Sequence, residues 1–222
     1  YPYYIQREWT HYQPQRGDFV REALKQGLEL ERKLGQNPYR LGVIGSTDSH
    51  TALSSAEEDN FHGKLATDSI PANKNSKWND DGPGATGWAM SASGMAAVWA
   101  VNNSRLAIMA ALNRREVYAT TGPRIAVQFY GGAGFTEADL ENADVHTYAT
   151  SRGVPMGGEL SQPETPSFIV LTAKDSKGAN LDRIQIVKGW LDETRLVKEK
   201  VFNVAWSDER QLNSDGSLPA VG

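Results

Sequence analysis

Asp48 and His50 stand two positions apart at the end of an apolar run, Leu41-Gly42-Val43-Ile44-Gly45-Ser46-Thr47. In extended backbone, residues i and i+2 face the same side, about 7 Å apart along the strand, so this carboxylate and imidazole can converge on one object. Both groups are ligands for divalent zinc, manganese or iron. The carboxyl end of a strand is also where barrel and open-sheet α/β enzymes keep their chemistry. The pair therefore reads as part of a hydrolytic metal site. The plainer reading is a polar turn in which Asp48 caps the next helix. Gly45 and Ser46 favour the first, because small residues leave room for a ligand beside the backbone.

Other polar groups cluster near this pair along the chain. Glu57, Glu58, Asp59 and His62 are candidates for metal binding or general acid work, although helix capping also explains the two glutamates. Lys64 and Arg124 are candidates for an anionic substrate, Arg124 through a bidentate contact. His11 is a possible further ligand but reads more simply as a loop histidine, and His146 is given no role. Gly131-Gly132-Ala133-Gly134 has no Lys-Ser/Thr helix after it, so it reads as a hairpin connection rather than a phosphate loop. There is no Gly-x-Ser-x-Gly elbow and no cysteine in the sequence. Metal-activated water is the hydrolytic mechanism whose residues are visible.

Composition narrows the field around those residues. The 222 residues suit one large domain or two modest ones and can bury a core without staples. Lys+Arg number 23 against Asp+Glu 27, a formal net charge of -4, which argues against a broad nucleic-acid footprint. No apolar run approaches the roughly 20 residues of a membrane span. With no cysteine, any metal must be held by His, Asp, Glu or water. The opening residues, Tyr1-Pro2-Tyr3-Tyr4, carry neither an initiator Met nor a signal-peptide pattern, as expected of an internal piece of a longer protein.

The elements that position the candidate residues follow from periodicity. Asp18 is the expected N-cap of a helix from Phe19 to about Leu34, with Val20, Leu24 and Leu28 on one face. Gly35 stops it and a buried strand from about Tyr39 to Gly45 follows, the unit of an α/β fold with parallel strands. Ser54 and Ser55, three residues before Glu57 and Glu58, predict a short helix. Residues 63–90 show no periodicity and read as a lid-like loop. Met95–Val101 and Leu106–Leu112 read as helices with Ser104 as a cap between them, and Val117–Thr121 as a strand. Beyond Gly122-Pro123 the runs Ile125–Tyr130, Phe168–Ala173, Leu181–Val187 and Val201–Trp206 predict an antiparallel sandwich. The expected domains are therefore 1–122 and 123–222, with Ser214–Gly222 as a loose end.

These motifs also carry a resemblance. Gly45-Ser46-Thr47-Asp48-Ser49-His50 resembles the late Asp-x-His motif of the PHP (polymerase and histidinol phosphatase) metallo-hydrolase superfamily. More closely, the chain is similar to an outlying branch of it, labelled a domain of unknown function. The match runs through Arg21-Glu22-Ala23-Leu24, Asn37 to His50, Glu57 to Phe61, Arg114 to Arg124, Gly153 to Gly158 and Leu181 to Asp192, and so covers nearly the whole chain.

The resemblance implies the last part of a distorted β/α barrel of TIM type followed by an antiparallel β-sandwich. It implies two or three divalent metals (zinc, manganese or iron) at the barrel rim, with Asp48 and His50 among the ligands, and phosphoester hydrolysis by metal-activated water. Superfamily members draw further ligands, including an early His-x-His, from preceding strands that this chain does not contain. The missing N-terminal part is thus an expected partner of the site, and the isolated fragment is expected to be inactive. Glu57, Glu58, His62, Lys64 and Arg124 are the expected catalytic or substrate-facing residues, and the substrate is a small anionic ester. Sulfate-ester, phosphonate or carbamate hydrolysis would use the same machinery. The branch leans towards periplasmic or secreted proteins. The reading from a different class is a non-catalytic binding protein whose sandwich holds carbohydrate or a partner through Tyr130, Trp190 and Trp206.

Overall fold

The computed structural model describes residues 17–53, 56–57, 59–66, 70–73, 75, 93–161 and 165–219. The fold mixes helices with antiparallel sheets. Among the described residues the elements are α1 (Val20–Leu34), β1 (Met95–Val98), α2 (Arg105–Asn113), β2 (Val117–Thr120), β3 (Ala126–Ala133), α3 (Val145–Arg152), β4 (Gly153–Pro155), β5 (Pro166–Ala173), β6 (Arg183–Leu191) and β7 (Val197–Trp206). Every strand pairing among the described residues is antiparallel, in the orders β1-β2, β4-β3-β5 and β6-β7. These residues form no closed barrel, and the parallel strands expected after α1 are not found among them.

The chain divides into two compact units, Tyr1–Leu41 with Ala179–Gly222, and Gly42–Gly178. The Gly122-Pro123 step falls inside the second. In the first unit, α1 ends as expected at Gly35, which takes the left-handed conformation (φ +75°) and returns its N–H to Glu31 O. Its N-cap is Phe19 rather than Asp18, with no side-chain cap. The helix packs on the β6-β7 hairpin, where Lys25 pairs with Glu199 at 3.0 Å and with Glu22. The C-terminal segment is not loose as far as Pro219. Asn203 Nδ2 donates to Gly216 O at 2.8 Å, and Leu218 is buried.

The second unit has its core where α3 lies on the β4-β3-β5 sheet. Tyr130, Ile169 and Ala149 are the buried centre, with Phe135, Val145 and Leu171 packed around them. Tyr130 and Ile169 are cross-strand partners, so both project to the face that α3 covers. Asp144 caps α3 by accepting from Thr147 N; this helix interrupts what the sequence suggested was a run of strands. Gly131 and Gly132 lie inside β3 instead of forming a hairpin loop. Close approach explains their type: a Cβ at Gly132 would stand 2.6 Å from the Phe135 ring.

Two further expectations are corrected. Met95–Val98 is a strand, because its backbone is paired from Met95↔Thr120 to Val98↔Val117; its Met, Ala and Val are apolar at every position and give no period to read. Residues 40–45 form no strand. Their backbone bond to a strand is Gly45 N–H to Met95 O at 3.2 Å. Ser104 does cap α2, accepting from Ala107 N at 3.3 Å. The helix expected at Ser54, Ser55 and Glu58 lies partly outside the described residues, and its described part is a turn in which Asn60 N bonds Glu57 O. Most of the expected 63–90 loop also lies outside them, with Pro71–Asn73 a short 3-10 turn.

Candidate functional site

The residues around Asp48 are positioned by backbone packing. The segment from Gly42 passes against β1 and β2. A Cβ at Gly45 would lie 2.8 Å from both Met95 O and Thr120 O, and one at Gly94 would lie 2.5 Å from Ser46 O. The small residues therefore serve contact between main chains; the space beside Gly45 holds backbone and not a ligand. Past this contact the chain leaves extended geometry. Asp48 and Ala52 take the left-handed region, with φ of +54° and +60°, a conformation that Asp tolerates better than most residues. Ser49 N donates to Thr47 Oγ1 at 3.3 Å, and the Ser49 and Thr51 hydroxyls meet at 2.9 Å.

This turn brings Asp48 and His50 together by a different route from the i, i+2 alternation of a strand. His50 Nε2 lies 3.1 Å from Asp48 Oδ1, and Lys64 Nζ lies 3.6 Å from Asp48 Oδ2. The carboxylate and imidazole side chains are 51% and 58% exposed, while that of Lys64 is 19% exposed. Two neighbouring ligands about 2.1 Å from one ion, subtending roughly 95°, would have an O···N separation of this size. The donor types and the spacing thus fit two positions of a divalent-ion site. A closed site needs at least three protein ligands, and the described residues contain no group of three His, Asp or Glu able to hold an ion.

The remaining candidates fall into a second cluster. Arg124 Nη2 faces Glu57 Oε1 at 3.7 Å, and the Arg124 backbone N–H donates to Asp175 Oδ2 at 2.7 Å. Asp175 also accepts from Lys177 N at 2.9 Å, and Lys177 Nζ reaches Asp59 at 3.1 Å. The two backbone amides hold the Asp175 carboxyl below its ordinary range. The Lys177 ammonium does the same for Asp59, and backbone N–H groups at Glu57 and Ala56 do so for Glu57. Sequence reasoning missed Asp175 and Lys177. The Asx-turn in Asp175-Ser176-Lys177 was a visible signal, but its distant partner Arg124 was not. His62 is exposed, with no hydrogen bond or ion pair to another described residue. Glu58 and His11 lie outside the described residues.

A cavity of about 300 Å³ in the same unit lies beside the α3-covered sheet, walled in part by Trp99, Glu116, Tyr130 and His146. Tyr130, expected as a surface aromatic, is only 2% exposed, and its hydroxyl meets His146 Nδ1 at 2.9 Å. Burial, with Asp144 and Glu116 nearby, pushes its phenol pKa up, so it stays protonated. His146, which the sequence left without a role, is the partner of that hydroxyl.

The family model described as "Protein of unknown function (DUF3604)" matches residues 1–222. The chain belongs to this family. No curated protein and no solved structure matches it. Membership covers both compact units, so the Asp48–His50 turn and the cavity both lie within the family's span. No helix among the described residues is long and apolar enough to cross a membrane.

Proposed function

We propose that this chain belongs to a metal-dependent hydrolase of ester bonds, related to the PHP superfamily, with Asp48 and His50 as two ligands of a divalent ion. One observation carries the reading: Asp48 Oδ1 and His50 Nε2 converge at 3.1 Å on an open turn. The two groups are hydrogen-bonded to each other as they stand, and a carboxylate oxygen and an imidazole nitrogen at this separation also suit a shared cation. A divalent ion held there supplies Lewis acidity and lowers the pKa of water. Asp48 presents one oxygen beside His50 and keeps the other towards Lys64. Lys64, tied to the turn through its carbonyl, offers its ammonium to the negative charge of a phosphoester. On this reading the remaining ligands come from residues other than those the structure describes.

The test is metal analysis of the full-length protein, wild type and His50→Ala, followed by a panel of phosphate and sulfate esters assayed with and without chelator. Stoichiometric zinc, manganese or iron that falls in His50→Ala, with chelator-sensitive ester hydrolysis, is the expected result. Protein that takes up no metal under any loading condition overturns the reading and leaves a binding protein.

A further inference from the structure

The cavity beside β3 is independent of the Asp48 turn and has walls of a distinct kind. Trp99 forms one side, and its ring is fixed: Nε1 donates to Val127 O at 2.7 Å, and the ring stacks on Tyr118 with centroids 6.4 Å apart. Pro155 and Met156 add further apolar surface. An aromatic platform held by its own hydrogen bond loses little entropy when a ligand lands on it.

The polar groups of the cavity come from three separate elements. Glu116 precedes β2, Gln128 is on β3 and His146 is on α3. Gln128 stands two residues before Tyr130 and so shares its face of the strand. Its amide, with two donors and an acceptor, makes no hydrogen bond to a described residue. The Tyr130 hydroxyl occupies His146 Nδ1 at 2.9 Å, so Nε2 is the ring nitrogen left for a ligand, as donor or acceptor according to the tautomer. Glu116 accepts from Arg114 Nε at 2.8 Å and Nη2 at 3.2 Å, and each of its oxygens keeps acceptor capacity.

The wall carries one formally charged carboxylate, Glu116, and that carboxylate is already engaged. Glu116 is paired with Arg114, Tyr130 is a neutral phenol and Gln128 is uncharged. An anionic ligand would meet no cationic side chain of the wall to pair with, and a cationic one would compete with Arg114 for Glu116. The site instead offers an apolar ring face with an imidazole nitrogen, an acceptor and an amide spread around it. A pyranose needs the same combination, with axial C–H groups on one face and hydroxyls that both donate and accept around the edge. The volume, about 300 Å³, stands at the small end of ligand sites, roughly 300–1,000 Å³, and suits a single ring.

We propose that the cavity bounded by Trp99, Glu116, Gln128 and His146 binds one ring of an uncharged saccharide. Trp99 stacks on the sugar's C–H face. Gln128 and Glu116 take hydroxyls, and His146 Nε2 takes another, since a sugar hydroxyl can both donate and accept. Tyr130 is a positioning residue that fixes the imidazole.

The test is isothermal titration of the folded protein with glucose, galactose, mannose, xylose and N-acetylglucosamine. Glucuronate, glucosamine and uridine serve as charged and nucleoside comparisons. The expected result is saturation by at least one neutral sugar with a Kd on the order of 1 mM. Its charged congener should bind at least tenfold more weakly, and affinity should fall tenfold or more in Gln128→Leu and in Trp99→Ala. Should Trp99→Ala fail to fold, Gln128→Leu, which keeps the volume, decides alone. The proposal is overturned if no neutral sugar saturates, if glucuronate, glucosamine or uridine binds as tightly, or if Gln128→Leu leaves the affinity unchanged.

Discussion

The backbone N–H of His50 donates to the carbonyl of Lys64 at 2.7 Å, and Lys64 Nζ lies 3.6 Å from Asp48 Oδ2. Asp48 thus has the His50 imidazole beside one oxygen and the Lys64 ammonium beside the other. An ammonium beside a metal-binding carboxylate repels the ion it would share, with a strength set by separation and exposure. Lys64→Met in the full-length protein should therefore tighten manganese binding, by up to about tenfold for this half-exposed geometry. It should also weaken capture of a phosphoester, seen as a higher KM. Titration by isothermal calorimetry checks the first effect and steady-state kinetics the second. Unchanged metal affinity would separate Lys64 from the ion.

Gly45 tests how the turn is held. Its missing Cβ would meet two carbonyl oxygens at 2.8 Å, Met95 O and Thr120 O, both belonging to paired strands that cannot easily retreat. Gly45→Ala should destabilise the protein by roughly 1–3 kcal/mol through overpacking. Gly189 is the contrast, since a Cβ there meets Lys25 Cγ at an ordinary 3.5 Å. Gly189→Ala should stay within about 0.5 kcal/mol of wild type. Urea midpoints of the two variants, with m-values compared, give the answer.

The same glycine shows where sequence reasoning stopped. A small residue ending an apolar run reads equally as room for a ligand or as room for backbone, and only the partners of Met95 and Thr120 decide between them. Asp48 and His50 do come together, but through a left-handed Asp48 and not through strand alternation. No pattern of residue types encoded that φ. Helix α1 was legible because its apolar positions repeat at four and a glycine ends it. Helix α2 was legible from its serine cap. Strand β1 was read as helix because Met-Ala-Ala-Val is apolar throughout and a good helix former locally; pairing with β2 overrides that preference. Helix α3 went unread because its Val, Thr and Tyr residues suit strands, although Asp144 was a legible cap. The grouping of β6-β7 with α1 depends on contacts between distant parts of the chain, which periodicity cannot report.

The Asp175 cluster contributes to the response to acid. Asp175, Asp59 and Glu57 all have carboxyl groups held below their ordinary pKa by amide N–H groups or by Lys177. A carboxyl depressed in the folded state contributes stability that is fully present above its unfolded pKa. That contribution is lost as the pH falls through the lower folded value. Stability should thus hold steady from pH 7 down to the ordinary carboxylate range and decline below it. Asp175→Asn keeps the shape but cannot titrate, so its urea midpoint should change less between pH 5 and pH 2.5 than that of wild type. Parallel slopes for the two proteins would remove Asp175 from the acid response.

Arg210 governs the C-terminal segment of the first unit. Its guanidinium donates to Asp182 O at 2.7 Å, Ser207 O at 3.1 Å and Pro219 O at 3.0 Å, and it pairs with the Asp182 carboxylate at 2.7 Å. Its carbonyl in turn accepts from Trp206 Nε1 at 2.7 Å. One planar fork therefore ties the end of β7 to the residue before β6 and to Pro219. Lysine offers three donors from a single nitrogen and cannot span these acceptors at once. Arg210→Lys should keep the charge and still release the segment after Trp206, at a cost of about 1–3 kcal/mol for the carbonyls left without donors. Limited proteolysis followed by mass spectrometry should find new cleavage between Ser207 and Pro219 in the variant, with the β6-β7 hairpin intact. A cleavage pattern identical to wild type would mean that burial of Leu218 holds the segment without the fork.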